Sequence, residues 1–558
     1  MMLRQSNIEA CTNLNMAYRF LHKSSNLYLF FLLLIVPLIV VAQTDKQPNI
    51  VLFYVDDLGW ADVGCYGSTF YETPNIDALA KSGVRFTDAY AACHVCSPSR
   101  ASLLSGKYPA TINLTDWLPG RRNFPFQRFL NVDINQQLPY EETTIAETLK
   151  SIGYKTAIIG KWHLGDDPSN PMAHGFDSHI PDWPKGWPGP GGYIAPFSLK
   201  GLEDAKEGSY LTDILTDKAL KYIESNKENP FFLYMSHYAV HDPIQGRKDL
   251  VSKYENKLLK AEASPSADYI LEGNPDNPNN PTREELELLI KTEDYKPYKV
   301  LPNETVKVKQ KQDNVEFAGM VESMDESLGR IMKKLEALNI ADNTIIIFYS
   351  DNGGMSAANV GNPKRIVPEE KQDKAYSTSN LPLRGAKGWL YEGGIRVPLI
   401  IKWPKKGKQG TVSSMPVAAV DIFPTILDMV GSSKSVPKDK EGVDISPVLR
   451  GKNMKRGPIY WHFPHYSNHG MQSPGGAIRD GDYKLLEYFE NGTVQLFNLR
   501  NDIGEQNDLS KIEIEKTKEL KDKLHKWREK VGAKMMKPNP DYDSEVKPDE
   551  FYKYIKKQ

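Results

Sequence analysis

Four apolar runs of strand length, each stopping at a cluster of ionisable or hydrogen-bonding residues, constrain this chain more than any other feature. Asn49 to Val55 reads Asn-Ile-Val-Leu-Phe-Tyr-Val and is followed by Asp56-Asp57. It lacks the polar alternation of a half-exposed strand, so both its faces must be covered, as in a parallel sheet flanked by helices. Tyr154 to Gly160 leads into Lys161-Trp162-His163, Pro230 to Met235 into His237 and His241, and Thr344 to Tyr349 into Ser350-Asp351-Asn352-Gly353-Gly354. Amphipathic stretches precede the second and fourth runs, at Thr144 to Ile152 and about Glu316 to Leu338. This alternation predicts an α/β fold on a large, mixed but mostly parallel sheet.

In open α/β sheets, ligands bind beyond the carboxyl ends of the strands, where loops converge on a rigid base. One Asp after one strand is usually a turn or cap residue, but four such strand ends together point to a shared site. Asp56, Asp57, Asp351 and Asn352 would offer only oxygen donors. Calcium accepts irregular oxygen cages and amide carbonyls, magnesium prefers strict octahedra, and zinc would more often recruit His or Cys, so the set favours calcium.

The segment His94-Val-Cys96-Ser-Pro98-Ser-Arg100-Ala-Ser-Leu-Leu-Ser-Gly has Pro98 where a first helical turn tolerates it. Cys96 then opens a helix, where backbone N–H groups and the helix dipole favour anions, and Arg100 faces the same way about one turn on. The alternative is a Cys93-x-x-Cys96 redox pair.

Length and charge bound the rest. The 558 residues, 40% of them hydrophobic, can bury a large core, and 71 acidic against 70 basic residues leave no global field for nucleic acid or a membrane surface. Residues 1–43 carry Arg4, Arg19 and Lys23, then the apolar run Leu27 to Ala42, with Val40 and Ala42 before Gln43. That pattern fits a cleaved signal peptide and a periplasmic or secreted product; Pro37 and a run short of the roughly 20 residues of a span argue against an uncleaved anchor and stable membrane insertion. Three of the four cysteines follow this segment, so at least one is unpaired; a Cys65–Cys93 disulfide would leave Cys96 free, but the sequence alone leaves that pairing open.

With these residues in view, the chain resembles the formylglycine-dependent sulfatases of the alkaline phosphatase superfamily over nearly its whole mature length. Cys96-Ser-Pro-Ser-Arg100 matches their Cys-x-Pro-x-Arg signature. The blocks Asn49 to Trp60, Gly160-Lys-Trp-His-Leu-Gly165, Ser350 to Gly354 and Lys387-Gly-Trp-Leu-Tyr-Glu-Gly-Gly-Ile-Arg-Val-Pro398 follow in family order. The resemblance implies an alkaline phosphatase-like fold, one calcium ion held by Asp56, Asp57, Asp351 and Asn352, and oxidation of Cys96, also near the metal, to formylglycine. A formylglycine-generating or anaerobic sulfatase-maturing enzyme is the implied partner. Arg100 and Lys161 would hold the aldehyde hydrate and the sulfate, His163 would assist the hydrate, and His241 and Lys387 would contact sulfate and protonate the departing alcohol. His241-Asp-Pro243 resembles the family's His-x-Pro, so His237 reads as structural.

The catalytic α/β region is expected over residues 44–455 and a smaller α+β subdomain over 456–558. There, Ala477 to Arg479, Tyr483 to Phe489 and Thr493 to Asn498 alternate like antiparallel strands, with a turn at Glu490-Asn-Gly-Thr, before a helix from about Glu513 to Val531 with Ile514, Leu520, Leu524 and Trp527 on one face. An insert at 246–311, with a short helix over Arg283 to Thr292, reads as a pocket rim. The Pro181 to Phe197 loop offers Trp183, Trp187 and Tyr193 either as a sugar platform or as inward-tucked anchors. Arg121, Arg122, His174, His462 and His465 are further candidates for an anionic sugar. The resemblance implies a sulfated oligo- or polysaccharide substrate, such as an ulvan or carrageenan; a phosphate or phosphonate ester hydrolase and a non-catalytic glycan-binding protein are the alternatives.

Overall fold

Eight strands make up the main sheet: β1 (Asn49–Val55), β2 (Val84–Phe86), β3 (Lys155–Gly160), β4 (Ser178–Ile180), β5 (Phe231–Ser236), β6 (Thr344–Ser350), β7 (Leu399–Lys402) and β8 (Thr411–Ser413). Their spatial order is β8-β2-β7-β6-β1-β5-β3-β4. The structure, a computed structural model, describes residues 46–261, 267–277, 288, 300–301, 304–357 and 376–548. The expected signal peptide lies outside these residues, as does all but residue 288 of the helix expected at Arg283 to Thr292.

The four apolar runs form four adjacent strands, β6-β1-β5-β3, all parallel. Antiparallel pairing is confined to β7, against β6 and β2. β1 is buried at every residue because helices cover both faces. Ile50, Leu52 and Tyr54 point to one face, where α2 (Cys96–Ser105), α3 (Ile145–Ser151) and α7 (Ile422–Met429) pack through Leu103, Leu149 and Phe423. Val51, Phe53 and Val55 point to the other, against α1 (Pro74–Ser82), α4 (Leu211–Asn226) and α6 (Val315–Ala337) through Leu79, Leu215 and Met320. α3 starts where its sequence says it should: Thr144 Oγ1 accepts from Glu147 N at 3.1 Å while Glu147 accepts from Thr144 N at 2.8 Å, a capping box whose cap is worth about 1 kcal/mol.

A second, antiparallel sheet runs β9 (Ile459–Phe463), β10 (Gly475–Asp480), β11 (Tyr483–Tyr488) and β12 (Val494–Asn498), and α8 (Ile514–Val531) packs on it through Leu520, Leu524 and Trp527. β9 escapes the sequence pattern because Ile-Tyr-Trp-His-Phe carries little polar contrast. Ile514, expected on the buried face, is 65% exposed at the first turn of α8. A buried ion network joins this sheet to the loops of the main one: Lys484 Nζ lies 2.9 Å from Glu392 and 2.8 Å from Glu505, and Arg479 lies 2.7 Å from Asp88.

The described residues of the insert form α5 (Lys248–Leu259) and a small sheet pairing Thr305–Lys309 with Tyr269–Glu272. Among the described residues Cys65, Cys93 and Cys96 are all unpaired. The Cys65–Cys93 disulfide left open by the sequence is thus not formed: Cys65 packs with the α1/α6 face, Cys93 with Val95 and Phe463.

Asp62 ties the turn after β1 to residues 376–380. Gly59 N, Thr378 Oγ1 and Gln312 Nε2 donate to its carboxylate at 2.8, 2.6 and 3.1 Å. Burial outweighs these donors and pushes the carboxyl up to about 7. With the folded value above that of the unfolded chain, Asp62 favours folding most in acid, and this contribution is lost as pH rises through about 7. Asp62→Asn, which cannot ionise, should therefore gain on wild type by about 1–3 kcal/mol between mildly acidic and mildly alkaline pH. Thermal melts across that range check this; a constant difference would refute it.

Candidate active site

The carboxyl ends of β1, β3, β5 and β6 bring Asp56 and Asp57, Lys161 and His163, His241, and Asp351 and Asn352 to one edge of the sheet. Cys96 arrives there as the first residue of α2, and Lys387 from the loop before β7. No described side chain caps α2, which leaves the positive end of its dipole for an anion at position 96.

Each buried carboxylate meets its own cation. Lys161 Nζ donates to Asp56 at 2.6 Å, Lys387 Nζ to Asp57 at 2.7 Å, and Arg100 approaches Asp351 at 2.8 Å. Arg100 also donates to Ser236 Oγ at 2.6 Å and stands 3.7 Å from Asp56. Asn352 Nδ2 donates to Asp57 at 2.8 Å, and Asp57 N to Asp351 at 3.1 Å. Cys96 Sγ lies 3.5 Å from Asp56 Oδ1. Asp57 and His163 sit at φ of 62° and 57°, a left-handed conformation seldom adopted outside glycine and common at functional sites.

These pairings set the protonation states. Burial would raise the Asp57 carboxyl, but Lys387 and His241 hold it well below the usual range. Burial would also raise the Cys96 thiol, but Lys161 and Lys387 bring it down to about 7. Burial and then Asp56 push Asp351 up to about 7. Burial and Lys387 oppose a charged His241 ring, yet Asp57, Asp56 and Asp242 outweigh them and raise its pKa well above the usual value. His163 goes the other way, kept neutral by burial and Lys161.

Carbonyl partners fix both imidazoles. His163 Nε2 must donate to Leu118 O at 3.1 Å, so its Nδ1, buried without a partner among the described residues, carries the lone pair. His241 Nδ1 donates to Asp242 O at 2.7 Å, leaving Nε2 3.7 Å from Asp57. His237 lies outside this cluster: it is fully buried, 3.0 Å from Ser327 Oγ and 4.9 Å from the Phe53 ring.

A cavity of about 620 Å³ opens over Cys96, His163, His241 and Lys387. Trp117, Leu118 and Pro119 line it, as do Lys185, Gly186, Trp187, Gly189, Pro190, Asp242 and, from the second sheet's β9–β10 loop, Asn468 and His469. Of Trp183, Trp187 and Tyr193 in the Pro181 to Phe197 loop, Trp187 lines the cavity and is 41% exposed, with Trp183 Nε1 donating to its carbonyl at 2.7 Å. Tyr193 is instead buried, its hydroxyl 2.9 Å from His241 O. Pro190 and Pro243 are shared with a neighbouring cavity of about 600 Å³ whose walls include Gly246, Lys248 and Val251, so the start of the insert lines a cavity beside the one over Cys96.

Arg121, Arg122, His174, His462 and His465 do not line the catalytic cavity. Arg121 donates to Ser467 O at 2.5 Å, Arg122 lies over Phe124, His174 is 2.9 Å from Ser169 Oγ, His462 2.9 Å from Lys534 O, and His465 2.8 Å from Thr115 Oγ1. Sequence reasoning misses Lys185, Asp242, Asn468 and His469. Only Asp242 carries a signal, its place in His241-Asp-Pro243.

Ligand atoms of Asp56, Asp57, Cys96 and His241 all lie within 4.8 Å of one another. As encoded, that set mixes oxygen, sulfur and nitrogen and suits zinc better than calcium. His241, held protonated, has no lone pair for a metal; without it, with oxygen in place of sulfur at position 96 and with Asp351 and Asn352 alongside, the set becomes a hard oxygen cage that fits calcium. Asn352 Oδ1 supports that fit, being buried without a hydrogen-bond partner among the described residues.

A mostly parallel sheet with an oxygen-rich cation cluster and an anion pocket at its carboxyl edge places the chain among the alkaline phosphatase-like hydrolases. The sulfatase family model matches residues 48–432, and one described as N-sulphoglucosamine sulphohydrolase, C-terminal, matches 386–532. The chain is 31% identical to a sulfatase of Formosa agariphila, over 92% of this chain and 94% of that one. It is 28% identical to the N-acetylglucosamine-6-O-sulfatase of Bacteroides thetaiotaomicron, over 84% and 83%. The crystal structure of Ps i-CgsB aligns with a TM-score of 0.62 and 30% identity, over 86% of this chain and 93% of that one, and a second structure of Ps i-CgsB holds k-i-k-neocarrahexaose. This chain belongs to the sulfatase family, the sulfuric ester hydrolases.

Gly186 presses against His163 so closely that an added Cβ would lie 2.3 Å from Cε1 of the ring. Gly186→Ala should displace the ring and lower turnover by about tenfold or more, since an ångström of misplacement is expensive in catalysis. Steady-state kinetics check this; wild-type turnover would show that the loop, not the ring, yields.

Proposed function

We propose that this chain is an exported, calcium-dependent sulfatase that removes sulfate esters from a sulfated carbohydrate, an algal polysaccharide of the ulvan or carrageenan type, through a formylglycine made from Cys96. The observation that carries the reading is the meeting, beside one cavity that Cys96 and Lys387 line, of Cys96, at a helix N-terminus, with three buried carboxylates and three buried cations. The names of the Bacteroides relative and the oligosaccharide bound to Ps i-CgsB support a carbohydrate substrate. Export is supported by the apolar run Leu27 to Ala42, and among the described residues no helix is long and apolar enough to cross a membrane.

Calcium held by Asp56, Asp57, Asp351, Asn352 and position 96 would supply charge neutralisation, and a hydrated formylglycine the oxygen nucleophile. Arg100, Lys161 and Lys387 would orient the sulfate oxygens. His163, neutral and with Nδ1 unpartnered among the described residues, would accept a proton from a hydroxyl at position 96. His241, held protonated by Asp57, Asp56 and Asp242, donates one to the departing alcohol, with Lys387 beside it. Cys96 is only 3% exposed, so a formylglycine-generating or anaerobic sulfatase-maturing enzyme must reach it before α2 packs.

Cys96→Ala should abolish turnover, by about a thousandfold or more, while the fold persists. Mass spectrometry of the peptide spanning Cys96 checks maturation. Chelation should stop the matured enzyme and calcium restore it. With competing sulfate and phosphate esters, a preference for phosphate would overturn the assignment in favour of a phosphoesterase.

A further inference from the structure

The sulfate-facing residues account for the charge at the cavity floor and leave the sugar unread. We propose that His469 is the specificity residue for the carbohydrate, its imidazole hydrogen-bonding a hydroxyl of the sugar ring whose sulfate is cleaved. The inference rests on the proposed sulfated-carbohydrate reading and deepens it.

His469 lines the same cavity as Cys96, His241 and Lys387, yet comes from the β9–β10 loop. It is 6% exposed, and its Nδ1 is buried without a hydrogen-bond partner among the described residues. A polar ring held at a cavity wall with so little exposure is satisfied from the cavity side by a partner that brings a hydroxyl. Burial and Lys387 keep the ring neutral. A neutral imidazole presents one N–H and one lone pair, which suits an alcohol rather than the anionic sulfate oxygens that Arg100, Lys161 and Lys387 are charged to meet.

The position is built rather than incidental. Ser467 Oγ accepts from His469 N at 3.1 Å and donates to His469 O at 2.9 Å, clamping the backbone on both sides. Gly388, which follows Lys387, has φ of 87° and packs so tightly that a Cβ there would lie 2.3 Å from His469 Cβ. The general acid region and His469 are thereby held in fixed register, as reading a hydroxyl close to the scissile ester requires. Asn468, also on the cavity wall, adds an amide beside it.

The test uses the matured, full-length enzyme on two substrates: para-nitrophenyl sulfate, which has no hydroxyl beside its ester, and the member of a panel of defined sulfated oligosaccharides that wild type turns over best. His469→Phe keeps a ring of similar size without hydrogen bonds, and His469→Gln restores a donor and an acceptor. His469→Phe should lower kcat/KM for the oligosaccharide about 10- to 100-fold, mainly through KM. The loss on the aryl sulfate should be at least about tenfold smaller, and His469→Gln should recover part of the difference. Equal losses on both substrates, or unchanged oligosaccharide kinetics, would overturn the inference while leaving the sulfatase reading intact. A wild-type enzyme that cleaves the aryl ester but neither binds nor cleaves any sulfated oligosaccharide overturns the carbohydrate reading and this inference together. If His469→Phe does not fold, His469→Asn takes its place in the same comparison.

Discussion

Three carboxylates buried at one sheet edge are tolerable only because three cations are buried with them. Asp56 meets Lys161, Asp57 meets Lys387 and Asp351 meets Arg100, at 2.6, 2.7 and 2.8 Å. Removing one member of such a pair leaves an uncompensated charge out of water and typically costs about 3–5 kcal/mol. The elements that supply these groups are therefore bound to one another: β1, β3 and β6, α2 and the Lys387 loop cannot drift apart without exposing or orphaning a charge. The catalytic geometry and the stability of the sheet edge are one problem.

The second sheet has a part in that problem. Glu392 lies in the turn between Lys387 and β7, and Lys484 of β11 neutralises it from the other sheet, with Glu505 sharing the ammonium. The same turn meets the loop after β6, where Gly353 N donates to Gly394 O at 2.9 Å, and Lys387 N donates to Gly354 O at 3.0 Å. The carboxyl-terminal region thus braces the loop that carries Lys387 from behind, and through Asn468 and His469 it also forms part of the cavity wall. Scaffold and substrate wall are drawn from the same segment.

The protonation pattern follows from this arrangement more than from residue type. Two histidines of the same intrinsic basicity diverge because His241 faces Asp57, Asp56 and Asp242, whereas His163 is buried beside Lys161. Backbone carbonyls then settle which nitrogen of each ring is left for chemistry. Placement alone thus gives one side-chain type a protonated ring and a neutral one.

Much of this pattern is legible in the amino-acid sequence. Doubly buried parallel strands are apolar at every position, so β1, β3, β5 and β6 stand out, and the polar residues at their ends mark the site edge. Cys96 with Pro98 and Arg100 carries its own local signal, because a helix start depends on neighbours in sequence. β9 is hidden, since a strand with apolar and aromatic residues on both sides gives no period, and Ile514 is misleading, since a helix end can turn one apolar residue to solvent. Arg121, Arg122, His174, His462 and His465 qualify on residue type alone, and packing takes them elsewhere. His469 has no local signature: it stands more than 80 positions from Lys387, and only the folding of β9 and β10 against the Lys387 loop brings them together. Local periodicity and strand-end chemistry thus determine the fold class and the charged floor of the site. The choice of cavity wall belongs to the tertiary structure, because it depends on contacts between segments that sequence separation conceals.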